Sequence, residues 1–117
     1  MYGLSSDQDL TFIVDRELVQ VCVGRHDVIL NLDGASIAIQ TDVTFCESPS
    51  KEVHYEEITQ MIPRLLDLLS AKILRASAVP PGTLQLEWSS GVTLKVHDSS
   101  KEYESYQIRG GDRLIVV

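Results

Sequence analysis

Residues 83–96 constrain what this chain can fold into more than any other stretch. Leu84, Leu86 and Trp88 alternate with Gln85 and Glu87; after Ser89-Ser90-Gly91 the alternation resumes with Val92, Leu94 and Val96 against Thr93 and Lys95. Period-2 patterning gives a strand one apolar and one solvated face. Gly91 can take a positive φ, so the two runs predict a β-hairpin.

Other strands follow the same rule. Residues 17–23 alternate with Val19, Val21 and Val23 on one face, and Val28, Leu30 and Leu32 line up over residues 28–32. Asp33-Gly34 is a type I′ hairpin dipeptide, and it leads into a longer strand over residues 36–45 with Ile37, Ile39, Thr41, Val43 and Phe45 on one face. Residues 46–57 are polar and acidic, contain Pro49, and read as a loop. Then the period changes. Ile58, Met61, Ile62, Leu65, Leu66 and Leu69 recur at three- and four-residue steps, which predicts an amphipathic helix over about residues 59–70, started or kinked by Pro63.

Strand character returns over residues 72–79 and, after the central hairpin, over 103–109; Gly110-Gly111-Asp112 then turns the chain into a final strand at 113–117. Residues 10–14 are an edge strand or a single turn. The order of turns in 17–45 resembles that in 72–96, a weak internal repeat. The expected architecture is one α+β domain over residues 1–117, mainly antiparallel β, with residues 1–9 flexible. Two three-stranded meanders, forming a sandwich or an open barrel, are linked by one α-helix and followed by a C-terminal hairpin.

Composition bounds the function. The 117 residues carry 17 acidic and 10 basic side chains, a formal charge of −7. Nucleic-acid binders need clustered Lys and Arg, so no nucleic-acid partner is expected. An acidic surface would steer a basic protein partner. No apolar run reaches the roughly 18–20 residues of a membrane span, and the first residues lack a basic segment followed by an apolar one, so no membrane partner and a cytoplasmic location are expected. Cys22 and Cys46 are expected to be buried free thiols.

Several segments share one likeness. Residues 82–88 (Gly-Thr-Leu-Gln-Leu-Glu-Trp), 90–96 (Ser-Gly-Val-Thr-Leu-Lys-Val) and 103–108 (Tyr-Glu-Ser-Tyr-Gln-Ile) resemble a family of short, uncharacterised bacterial β-rich proteins. In that family G-x-L-x-L-x-F leads to D-G-x-x-L-x-V and then to a Y-E-A-W-like element. Residues 18–24 and 28–34 resemble its first strands. Here Tyr106 stands for the Trp and Ser90 for the Asp. The resemblance implies a bacterial source and the fold, and carries no catalytic residue across.

No nucleophile with its base is legible, and no phosphate-binding glycine loop. Cys46 borders acids that would raise its pKa. No cofactor is expected. For metal, the weak candidates are His54, Glu56 and Glu57, with Glu47 and Glu52 nearby; an acidic solvated loop before a helix explains the same residues. For a ligand, the candidates are His97, Asp98, Tyr103, Glu104 and Tyr106, which would line a polar pocket or form a tyrosine cap pinning the last hairpin to the core. The sequence points to a non-catalytic protein-interaction module, with an immunity-type binder of a basic toxin in that class. The alternatives are a small-molecule-binding β domain and an enzyme using the His97/Tyr103/Glu104 region. A two-fold homodimer is expected, because Leu65, Leu66, Leu68 and Leu69 spread around the helix and residues 114–117 are apolar on both strand faces.

Overall fold

The computed structural model describes residues 4, 8–80, 82–99 and 104–117. Ten strands form two five-stranded sheets, and every pairing between named strands is antiparallel. The first meander is β1 (Leu18–Val23), β2 (Val28–Leu32) and β3 (Ala35–Ile39). The second is β6 (Ile73–Val79), β7 (Thr83–Trp88) and β8 (Thr93–Val96). Each meander is completed by a hairpin from elsewhere in the chain. The hairpin of β9 (Tyr106–Gly110) and β10 (Arg113–Val116) adds to β3, and that of β4 (Val43–Ser48) and β5 (Lys51–Tyr55) adds to β8. Gly34 and Gly91 sit at φ +81° and +93° in the meander turns, the left-handed conformation that made glycine the legible signal.

The expected fold class is what the structure has, and the inner meander strands β2, β3, β7 and β8 alternate as the sequence requires, whereas β1 and β6 at the sheet edges do not. Leu84, Leu86 and Trp88 are buried with Leu94 and Val96 from the second sheet; Leu30, Leu32, Ile37, Ile39, Tyr106 and Ile108 are buried from the first. All of them belong to one apolar cluster, which closes the space between the sheets. The two sheets also join at one corner. Leu18 N–H donates to the Ala71 carbonyl and Ser70 N–H to the Leu18 carbonyl, both at 2.9 Å, next to a Glu17–Lys72 bridge.

The structure departs from the sequence expectations at definite places. The single strand expected over residues 36–45 is two, β3 and β4, in different sheets. The chain bends at Gln40-Thr41-Asp42 while its alternation stays in phase, so Ile37, Ile39, Thr41, Val43 and Phe45 are all buried. A strand that turns a corner between sheets keeps its inward face, and period-2 patterning cannot register the bend. The expected loop over 46–57 contains β5. This is an edge strand whose residues are exposed except for half-buried Tyr55, so no apolar alternation marks it.

The expected helix over 59–70 is a 3-10 turn, Ile58–Met61, followed by one α-helix, α1, Ile62–Leu66. Pro63 has no N–H to continue a ladder backwards, and Ser70 at φ +76° ends the turn that follows. Leu65 and Leu68 point inward; Leu66 and Leu69 are exposed. Residues 11–13 form a single 3-10 turn that buries Ile13. In β1 a bulge between Leu18 and Gln20 takes Val19 off the inward face, leaving Leu18 buried and Val19 exposed, and Val23 at the far end of this edge strand is exposed as well. Cys22 and Cys46 are free, as expected, but half-buried rather than buried. No helix among the described residues is long and apolar enough to cross a membrane.

Candidate functional site

The outer face of the second sheet carries a polar cluster where β5, β4 and the end of β8 lie side by side. Thr44 is the centre. Antiparallel register sets His54 of β5 directly opposite Thr44, and the pairing of β4 with β8 on its other side sets Val43 opposite Val96. His97 follows Val96, and its N–H donates to the Asp42 carbonyl at 3.2 Å. Strand pairing therefore brings Asp42, His54 and His97 together from three segments.

The contacts are specific. Thr44 Oγ1 lies 2.8 Å from His97 Nε2 and 3.1 Å from His54 Nδ1. His97 Nδ1 lies 3.3 Å from Thr83 Oγ1. His54 Nε2 lies 3.2 Å from Asp42 Oδ2. The other Asp42 oxygen, Oδ1, accepts from Thr41 Oγ1 at 3.1 Å and from the Ser99 hydroxyl. The two imidazoles are 5.7 Å apart, tilted by 42°. Asp42 and His97 are half-buried and His54 is exposed. One ligand atom from each of the three lies within 4.8 Å of the others, so this group can hold a metal ion.

The metal candidates from the sequence do not assemble as a set. His54 joins the cluster, whereas Glu56 and Glu57 line a neighbouring surface cleft of about 400 Å³ with His26, Gln40, Thr41 and Ile58. His26 Nδ1 faces Glu57 Oε1 at 3.5 Å, and Glu57 caps the 3-10 turn with Gln60. Thr41 lines the cleft and touches Asp42, so cleft and cluster are adjacent.

The ligand candidates divide. His97 belongs to the cluster. Tyr106 is buried and its hydroxyl donates to the Gly82 carbonyl at 2.7 Å. Asp98 Oδ1 accepts from Ser105 Oγ at 2.8 Å. Burial pushes the Tyr106 phenol well above its ordinary range, and the Asp98 carboxylate adds to that. Tyr106 and Asp98 are thus both engaged in hydrogen bonds within the fold. Glu104 is half-buried beside them, and Tyr103 lies outside the described residues. Burial, with the Glu52 charge next, raises the Cys46 thiol, the direction its acidic neighbours implied. Sequence reasoning missed Asp42, Thr44, Thr83 and Ser99. Their only signal is long-range strand pairing.

Residues 10–117 match a family of unknown function, DUF6188. The chain belongs to that family. The match spans both meanders and both completing hairpins, so the whole double sheet and the cluster on it lie within the family's domain. No curated protein and no solved structure matches the chain.

Proposed function

We propose that this family member is a non-catalytic protein-interaction module of the cytoplasm. It takes a basic side chain of a protein partner into the cleft between Glu56, Glu57 and Thr41. The cleft itself carries this reading. It offers two carboxylates, the Gln40 amide and the Thr41 hydroxyl, with His26 and the apolar Ile58 completing the lining. That chemistry suits a guanidinium or ammonium group whose methylene stem packs on the apolar part. The cleft opens beside β5, an edge strand with no further strand paired to it among the described residues. Such an edge can add a partner's extended segment by main-chain hydrogen bonds. The interior between the sheets is filled by large buried side chains, Trp88 and Tyr106 among them, which weighs against a ligand held inside the sandwich.

An arginine-rich labelled peptide and its glutamine-substituted counterpart test the reading by fluorescence anisotropy. Salt-sensitive binding of the first alone is expected, weakened about tenfold, or about 1.4 kcal/mol, by Glu56→Gln. Equal binding of both peptides, or indifference to Glu56→Gln, overturns it. Free arginine binding as tightly as the peptide would favour the small-molecule alternative.

Self-association is a second reading, and it rests on different residues. Leu66 and Leu69 stand 49% and 40% exposed, and Val19, next to the Leu18–Ser70 contact, stands 54% exposed. Apolar side chains grouped in this way favour a two-fold pairing. Light scattering should give about twice the 13.0 kDa of the chain, and Leu66→Glu should return a folded monomer. Leu68→Glu is not an equivalent probe, because Leu68 is buried and its substitution strikes the core. A monomeric parent protein rejects the dimer.

A further inference from the structure

We infer that Asp42, His54 and His97 form a binding site for a divalent transition-metal ion of the zinc class, which fastens the edge strand β5 to β4 and to the end of β8. The inference starts from proton positions. Thr44 has one hydroxyl proton and lies within hydrogen-bond distance of two imidazole nitrogens, His54 Nδ1 and His97 Nε2. It can donate to only one, so the other must donate to it.

Two arrangements satisfy these contacts, and one of them protonates both Nδ1 atoms. His54 Nδ1–H then donates to Thr44 Oγ1, Thr44 O–H donates to His97 Nε2, and His97 Nδ1–H donates to Thr83 Oγ1. That leaves the His54 Nε2 lone pair facing the carboxylate oxygen Asp42 Oδ2 at 3.2 Å. There a cation can sit between the two lone pairs; in the other arrangement His54 Nε2–H donates to Asp42 Oδ2, and a metal ion takes the place of that proton.

The geometry suits the metal. Two ligand atoms at the usual zinc distance of about 2.0–2.1 Å and a tetrahedral angle lie about 3.3 Å apart. The Asp42–His54 pair already has that spacing. The third ligand atom lies within 4.8 Å of the other two. Closing the remaining gap takes at most about 1.5 Å of side-chain motion, and the His54 side chain is 51% exposed. In doing so His97 Nε2 exchanges its bond from Thr44 for one to the ion.

The outer atoms of all three groups are already held by hydroxyls: Thr44 on His54, Thr83 on His97, and Thr41 with Ser99 on Asp42. Metal-binding imidazoles and carboxylates are oriented by such partners. Two imidazoles and one carboxylate select zinc, cobalt, nickel or copper over magnesium or calcium, which prefer all-oxygen sets. Three protein ligands leave one position of a tetrahedral ion to water or to a group from a partner.

Calorimetric titration of the full chain, without an affinity tag, tests the site with Zn²⁺. One ion per chain is expected, with a higher melting temperature. Co²⁺ should give the visible absorption of a nitrogen- and oxygen-ligated ion. His54→Ala, His97→Ala and Asp42→Asn should each weaken binding at least tenfold, and the positioning variant Thr83→Val should weaken it by about tenfold or more. Far-ultraviolet circular dichroism confirms that each variant is folded, and His54→Ala, on an exposed edge, keeps the test open if another variant unfolds. Glu56→Gln should leave Zn²⁺ binding unchanged, which separates this site from the adjacent cleft. Failure to bind Zn²⁺, binding indifferent to the histidine variants, or a preference for Mg²⁺ overturns the inference.

Discussion

Trp88→Ala is expected to leave little folded protein. Trp88 is 1% exposed and shares the inward face of β7 with Leu84 and Leu86. Truncating a buried aromatic removes its transfer free energy and leaves a cavity, together costing about 3–5 kcal/mol. A domain of this size is stable by only about 5–15 kcal/mol, so the melting temperature should fall by roughly 10–20 °C. Trp88→Phe should behave differently. The indole Nε1–H is buried and finds no hydrogen-bond partner among the described residues. A buried unpaired donor carries a penalty of about 1–3 kcal/mol, and Phe removes the donor along with part of the ring. The two effects oppose each other, so Trp88→Phe should cost less than about 1.5 kcal/mol. Thermal unfolding of both variants decides. An Ala variant that melts with the parent protein would place Trp88 outside the core.

The inner strands of the two meanders, β2, β3, β7 and β8, are legible because each buries one face. Alternation writes that arrangement into the sequence, and Gly34 and Gly91 punctuate it. The corner at Thr41 was not legible, because a bend between sheets leaves the inward face in phase from Ile37 to Phe45. Strand β5 was not legible because an exposed edge strand has no apolar face to advertise; its Lys51, Glu52 and His54 read as loop residues. The helix was overestimated because Leu66 and Leu69 have the right spacing while projecting outward, and Ser70 stops the turn with a conformation the sequence does not announce. The site followed the same logic. His54 and His97 stood out separately as unusual polar residues, but their partner Asp42 depends on the pairing of β4 with β8. Since β4 reads as the tail of a longer strand and β5 as a loop, nothing in the sequence brings the three together.

Tyr106→Ala should match Trp88→Ala in severity, at about 3–5 kcal/mol, because the ring is fully buried against both sheets. Tyr106→Phe isolates the hydroxyl. It keeps the ring but leaves the Gly82 carbonyl without the 2.7 Å bond, which should cost about 1–2 kcal/mol at neutral pH. The pH dependence then identifies the cap. In the folded chain the phenol is held protonated well above its ordinary pKa by burial first and by the Asp98 charge second. In the unfolded chain tyrosine ionises near pH 10. The unfolded state therefore loses this proton first, and the stabilising effect is complete below about pH 10 and declines as the pH rises above it. The advantage of the parent protein over Tyr106→Phe should shrink between pH 9 and 11, read as the difference in their urea midpoints. A difference that stays constant across that range would mean the hydroxyl is solvated rather than bonded to Gly82. It would then belong with His97 as a group available to a ligand instead of the pin that fixes the last hairpin.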